Sequence, residues 1–252
     1  MEELCNKVLL NFGQKILKIL KEPKKSLITE LICAHLQLKE NGRKNLRINR
    51  KNKRFVYLIS PNEIKNEDFY TKLAQVLSSK KVSFFQLRLK KEKRKKKISI
   101  GKKIKKICKK YQVKFIINDD PMLAKKINAD GCHLGQKDMN ILKARKVLKN
   151  KIVGITCHNS INLAKKAVNG GANYLAFGAF YSSKTKKIKY KTSVKILSLA
   201  KKLTNIPVVA IGGIKNTNYK KLLLNKANFL AISSYIWNNK KLNPKEAINK
   251  II

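Results

Sequence analysis

The chain has 252 residues, with 59 Lys+Arg against 14 Asp+Glu, a formal net charge of +45, at 43% hydrophobic and 29% charged residues. That length and apolar share suffice to bury a substantial core, which excludes a wholly disordered polycation, and no apolar run approaches the length of about 18 residues that a membrane-spanning helix needs. The N-terminus (MEELCNKVLLNFGQKILKIL) mixes acids and lysines where a signal peptide needs a basic start and an apolar run, so a cytoplasmic location is expected. Five cysteines (Cys5, Cys33, Cys108, Cys132, Cys157) stand far apart without a C-x-x-C pair, and there are three histidines (His35, His133, His158), so neither a disulfide framework nor a zinc site is indicated.

Residues 1–54 read as a basic helical N-terminal extension. Val8, Leu9, Phe12, Ile16, Leu17 and Leu20 form one amphipathic stripe, and LITELICAHLQL (27–38) forms another that includes His35. A helical extension packed on or tethered to the main domain is expected. A membrane-surface or partner helix is the alternative, opposed by Glu2, Glu3, Glu30 and Glu40, which interrupt the basic face. The extension ends in the basic run RKNLRINRKNKR at 43–54.

From residue 55 short β-branched runs alternate with longer amphipathic ones. The predicted strands are 55–60, 82–89, 114–118, 131–135, 151–156, 174–180, 207–213 and 229–236. Between them, segments such as NEDFYTKLAQVLSSK, SIGKKIKKICKKY and SVKILSLAKKL repeat apolar residues three and four apart, as on one helix face. Eight such units predict a (β/α)8 TIM barrel as the catalytic domain over 55–252, with an open doubly wound sheet as the alternative. Only PMLAKKINAD separates the third and fourth strands, so that unit's helix is expected to be about two turns long.

The charge invites a nucleic-acid reading. Lysines spread among abundant Asn and Ile, with few arginines, fit compositional drift over solvated faces better than a selected polyanion surface. The second dense run, KKEKRKKK at 90–97, begins at a predicted strand end and could guide an anionic substrate.

In such a barrel, chemistry sits at the C-terminal ends of the strands. Alternation with period two points Gln86, Arg88 and Lys90 toward the mouth, where two cations make an anion site. Asn118-Asp119-Asp120 ends the third strand, and Gly135-Gln136-Lys137-Asp138 follows the fourth. Hard carboxylate oxygens from two loops suit Mg²⁺ holding a phosphate group, whereas Asp119 and Asp120 read as helix caps before Pro121 would have no such role. The sixth strand runs into Tyr181-Ser182-Ser183-Lys184-Thr185-Lys186, hydroxyls and ammoniums able to wrap an anion. Gly212-Gly213 after strand seven and Ser233-Ser234 after strand eight stand where barrels build a phosphate site from backbone N–H groups. Two anion sites at one mouth suit a transferase joining a diphosphate to a monophosphate.

The ordered blocks QLRLK, FIINDD, ADGCHLGQKD, GITCHNS, GAFYSSKTK and VVAIGGI resemble the thiamine phosphate synthase family over about residues 55–240. The resemblance implies a (β/α)8 barrel condensing hydroxymethylpyrimidine diphosphate with thiazole phosphate, releasing diphosphate with Mg²⁺ present. It would place Gln86 on the pyrimidine, Arg88 and Lys90 on the diphosphate, and Asn118 on the diphosphate or pyrimidine side. Asp119 and Asp138 would hold Mg²⁺. Thr156, Ser183, Thr185 and Lys186 would surround the diphosphate and pyrimidine, and Gly213, Ser233 and Ser234 would hold the thiazole phosphate. Arg88, Lys90, Lys186 and Thr156 are the expected catalytic residues, and no side-chain nucleophile is needed. His133 and His158 are read as packing or hydrogen-bonding residues.

The chain departs from the family pattern where Asp120 stands in place of the usual Arg, Thr156 in place of Ser, and Ser182-Ser183 within the Thr-Lys loop. Asp120 would put an anion beside the diphosphate. The related thiazole tautomerases share the fold but usually lack the Gly-Gln-x-Asp element retained here as Gln136 and Asp138. A tautomerase-like relative and a basic nucleic-acid-binding protein on a retained barrel are the competing readings. Small phosphorylated substrates are the expected partners, with no specific nucleic acid and no membrane, and the oligomeric state is left open, a homo-oligomer included.

Overall fold

The computed structural model describes residues 54–182 and 190–251. The predicted extension, apart from Arg54, lies outside the described residues, as do Ser183, Thr185 and Lys186. In chain order the elements are β1 (Val56–Ile59), α1 (Asp68–Leu77), β2 (Val82–Leu87), α2 (Arg94–Lys110), β3 (Lys114–Asn118), α3 (Pro121–Lys126), β4 (Gly131–Leu134) and α4 (Ile141–Leu148). They continue with β5 (Ile152–His158), α5 (Ile161–Asn169), β6 (Tyr174–Gly178), α6 (Lys195–Leu203), β7 (Val208–Ile211), α7 (Tyr219–Leu224), β8 (Phe229–Ile232), α8 (Ser234–Trp237) and α9 (Pro244–Asn249). The eight strands are parallel and close in sequence order, β8 pairing back to β1 through Val56 opposite Leu230. The (β/α)8 barrel is therefore the fold, and the open sheet is excluded.

Local chemistry starts several helices. Asp120 caps α3 through the Leu123 N–H with Pro121 in the first turn, Ser160 caps α5 through Leu163, and Asn243 and Glu246 form a reciprocal capping box on α9. The helix α3 is six residues long, the shortness expected of that unit. One boundary differs more than the rest: the eighth strand stops at Ile232, where its β1 partner Leu58 nears the end of its own strand, and 234–236 turn into α8. Apolar Ile236 continues the burial as a helix residue, which is why a strand reading of 229–236 fits the hydropathy.

Alternation divides the core in two. Residues such as Leu58, Phe85, Ile117, Cys132, Val153 and Phe177 face the helices, whereas Tyr57, Ile59, Phe84, Ile116, Ile152, Tyr174, Val209 and Phe229 fill the barrel. The Phe84 ring packs edge-on against Phe229 at 5.0 Å and stacks on Tyr57 at 5.2 Å. This interior is mostly apolar and encloses the hydroxyls of Tyr57 and Tyr174.

At the opposite, N-terminal face Arg145 of α4 knits the barrel. Its guanidinium donates to the carbonyls of Lys149, Lys151 and Gly171 and to Asn173 Oδ1 at 2.6–2.8 Å. Asp130 there accepts the Phe115 N–H at 2.9 Å.

Candidate active site

Strand β2 delivers its side chains as alternation dictates. Phe84 faces the interior, Phe85 and Leu87 face the helices, and Gln86 turns inward, 2% exposed, against the Tyr57 hydroxyl. One step further Arg88 donates from Nη1 to Asn62 Oδ1 at 3.1 Å, while its backbone N–H reaches Ser60 Oγ at 2.9 Å. Lys90 Nζ stands 3.4 Å from Asp119 Oδ2.

The turn after β3 separates two adjacent carboxylates. Asp119 takes a left-handed backbone (φ 65°) and donates its N–H to the His133 carbonyl at 2.8 Å. Asp120 accepts the Leu123 N–H at 2.8 Å and lies 3.4 Å from Arg94 Nη1. The capping role considered for both residues thus belongs to Asp120, and its negative charge is met by a cation from the start of α2. Asp119 stands at the mouth instead.

Asp138 arrives from the turn after β4, its Oδ2 accepting the Gly135 N–H at 2.7 Å. The Asp119 carboxyl is its acidic neighbour. Burial, then the Asp119 carboxyl, push the Asp138 pKa up, against the Gly135 N–H and the Lys90 charge, which pull it down. Two carboxyls this close require a proton or a cation to reconcile them. Lys90, Asn118, Asp119 and Asp120 also line a cavity of about 180 Å³ on the helix-facing side of β2 and β3, with Leu87, Leu89, Lys97, Ile117 and Leu123.

The donor set fits Mg²⁺. That ion takes oxygen ligands, commonly one or two carboxylates, and completes its shell with water and substrate phosphates. Asp119 and Asp138 are such a pair, and no group of three or more His, Cys, Asp or Glu suited to a metal occurs among the described residues.

Beneath the mouth runs a chain of polar contacts that the sequence reading did not find as a unit. The Tyr57 and Tyr174 hydroxyls are 2.7 Å apart, Tyr174 Oη is 2.9 Å from His133 Nδ1, and His133 Nε2 is 2.8 Å from Thr156 Oγ1. Burial raises both phenol pKa values and pushes the His133 imidazole down to about 4, so all three are neutral near pH 7. Gly154 makes the chain sterically feasible: a Cβ there would lie 1.8 Å from Tyr174 Cζ. His133 is thus a hydrogen-bonding residue, as expected, and Thr156 is half-buried at the top of β5 with its carbonyl accepting from Gln136 Nε2. The signal was present as interior-facing tyrosines opposite a glycine, but hydropathy counts them with the core.

At β7 and β8 the site is made of backbone. Gly212 and Gly213 have φ of 109° and 60°, and a Cβ on Gly213 would meet the Ser182 carbonyl oxygen at 2.3 Å and that of Tyr181 at 2.7 Å. Asn218 clasps this loop, accepting the Lys215 N–H and donating to the Gly213 carbonyl. Ser233 Oγ donates to the Ser60 carbonyl at 3.1 Å, and Ser234 opens α8. After β6, Ala179 pairs with Tyr190 and Thr192, and the Tyr190 ring lies 4.3 Å from His158. The remaining predicted site residues, Gln86, Arg88, Lys90, Asn118, Asp119, Asp138, Thr156, Gly213, Ser233 and Ser234, all stand at the C-terminal end of the barrel.

A closed barrel with its charged and glycine-rich elements gathered at that end defines a (β/α)8-barrel enzyme. The thiamine monophosphate synthase family matches residues 56–236. The chain is 72% identical over 203 residues to the thiamine-phosphate synthase of Pelagibacter ubique (strain HTCC1062), covering 81% of this chain and 98% of that protein. It is 38% identical over 183 residues to that of Nitrosomonas eutropha (strain DSM 101675 / C91 / Nm57), covering 72% and 86%. Among solved structures it resembles thiamine phosphate pyrophosphorylase from Pyrococcus furiosus, with a TM-score of 0.70 and 26% identity over 81% of this chain and 96% of the other. The chain belongs to the thiamine monophosphate synthase family and is a transferase. No helix among the described residues is long and apolar enough to cross a membrane.

Proposed function

We propose that this chain condenses hydroxymethylpyrimidine diphosphate with thiazole phosphate to give thiamine phosphate and diphosphate, with Mg²⁺ held by Asp119 and Asp138. The observation that carries the reading is the pair of neighbouring carboxyls, Asp119 and Asp138, with Lys90 3.4 Å from Asp119 on the same mouth as Arg88, a charge arrangement suited to a metal-bound diphosphate. In the reaction the bond from the pyrimidine methylene carbon to the diphosphate oxygen breaks, both electrons leaving with diphosphate. The thiazole nitrogen lone pair then forms the new C–N bond.

Negative charge grows on the leaving oxygens, so fixed cations lower the barrier. Bound Mg²⁺ would neutralise diphosphate charge and fix its orientation. Arg88 and Lys90 act on the same oxygens from the end of β2, and Ser183, Thr185 and Lys186, which lie outside the described residues, are assigned to the same diphosphate by the resemblance in sequence. Lys90 faces Asp119 in the structure, so contact with phosphate requires it to leave that partner, and Asp119 and Asp138 would then be free to hold Mg²⁺. Gln86 and Asn118 bind the pyrimidine side, and Thr156 stands where pyrimidine and diphosphate meet. Gly213, Ser233 and Ser234 hold the thiazole phosphate, which fixes the nucleophile by proximity. The basic surface attracts polyanionic substrates without specific recognition of nucleic acid. We place the reaction in the cytoplasm, in keeping with the free thiols of Cys108, Cys132 and Cys157.

The test is a coupling assay on the two phosphorylated halves with and without Mg²⁺, run beside Asp138→Ala. Magnesium-dependent thiamine phosphate that falls by two or more orders of magnitude in the variant, about the scale of lost transition-state charge stabilisation, supports the reading. Thiazole phosphate binding without product, indifferent to Mg²⁺, would replace it with a tautomerase-like activity.

A further inference from the structure

The contacts from Gln86 to Thr156 cross the barrel interior through five strands: β2, β1, β6, β4 and β5. Every interior member is a neutral group that both donates and accepts. A phenol has one O–H to give, and a neutral imidazole has one N–H. Orienting one member therefore orients the others, since two donors or two acceptors face to face leave a buried group unsatisfied, at a cost of about 1–3 kcal/mol.

The polarity is decided at the mouth. Thr156 stands on the same rim as Arg88 and Lys90, and an anionic ligand presents only acceptors there, so the Thr156 hydroxyl must donate outward. His133 then donates from Nε2 to Thr156 Oγ1 and accepts at Nδ1 from Tyr174. The Tyr174 oxygen accepts from Tyr57, and the Tyr57 oxygen accepts from the Gln86 amide. Gln86 is left with its amide oxygen for the ligand.

We propose that Tyr57, Tyr174 and His133 are positioning residues that form a one-way hydrogen-bond relay, coupling the amide orientation of Gln86 on β2 to the hydroxyl orientation of Thr156 on β5. The relay presents an acceptor on one wall of the pocket and a donor on the other, the pattern read by an aminopyrimidine, which offers an amino N–H and a ring nitrogen lone pair. An oxo-pyrimidine of the same shape reverses that pattern and demands the reversed relay. This deepens the substrate reading above and rests on it for the ligand that sets the polarity, while the connections of the relay are present in the protein without ligand.

Two measurements test it. The first is the ¹⁵N spectrum of the histidines in the protein saturated with inorganic diphosphate and Mg²⁺, assigned with His133→Gln; the chain has three histidines, which keeps the spectrum simple. The expected result is a single Nε2–H tautomer for His133 near pH 7. An Nδ1–H tautomer, or a mixture of the two, overturns the relay. The second is a double-mutant cycle, Gln86→Ala with Thr156→Val, read in KM for the pyrimidine diphosphate with kcat followed separately.

Coupling between the two sites should make the combined change depart at least about threefold from the product of the single changes, and this departure should vanish in a Tyr174→Phe background. Multiplicative effects in the unmodified protein, or coupling that survives Tyr174→Phe, refute it. Thermal unfolding and thiazole phosphate binding report that each variant is folded. Absence of turnover in the unmodified protein counts against the substrate reading alone, and the relay is then judged on the tautomer.

Discussion

Two arginines at opposite ends of the barrel show how one residue type serves two purposes. Arg145, at the N-terminal face, directs its guanidinium to three carbonyls and one side-chain oxygen, and burial lowers its pKa. Arg88, at the mouth, makes one side-chain hydrogen bond among the described residues, to Asn62, an uncharged partner that orients the group while leaving its charge uncompensated. In a chain of net charge +45 nearly any surface is basic. What distinguishes the mouth is the small number of contacts that its cations make and the two carboxyls set among them. A cation saturated by carbonyls is a brace, whereas one held by a single neutral contact is ready for an anion.

Substitutions should separate these roles. Arg88→Ala is expected to lower kcat/KM for the pyrimidine diphosphate by about 100- to 1000-fold, with little change in unfolding temperature, because the charge acts on the leaving group. A drop in stability comparable to that of Arg145→Ala would erase the distinction. Arg145→Ala should cost about 2–3 kcal/mol in denaturant unfolding by stranding its carbonyl partners, with KM values unchanged. Gly154→Ala, which forces a methyl into the Tyr174 ring, should destabilise by about 1–3 kcal/mol and also weaken pyrimidine binding, since it displaces the relay. Arg94→Ala removes a half-exposed partner of Asp120 and should change stability by less than about 1 kcal/mol, while Asp120 continues to cap α3. A large loss of activity in that variant would mean that Arg94 serves the diphosphate directly.

The barrel was legible because each strand–helix unit carries its own hydropathy period, and the mouth because strand order says which ends to inspect. Gln86, Arg88 and Lys90 follow from alternation alone. Asp119 and Asp120 are different: adjacent identical residues carry no sign of which one caps the helix, and the left-handed turn at Asp119 that decides it comes from pairing with the His133 carbonyl across the sheet. The relay was hidden for a similar reason. Tyr57, Tyr174 and His133 lie far apart in sequence, and only closure of the barrel brings their polar atoms together. The end of β8 was misjudged because Ile236 is buried in either a strand or a helix.

The left-handed backbone at Asp119 also governs how that residue can be studied. Asparagine and aspartate tolerate this conformation, whereas an alanine there incurs a penalty of about 1–2 kcal/mol before any charge is considered. An alanine scan would therefore mix a strained peptide with a missing ligand. Asp119→Asn keeps the turn and removes the charge, and Asp119→Gly keeps the turn and removes the side chain altogether. Together the two isolate electrostatics from loop geometry at a position where the customary probe cannot.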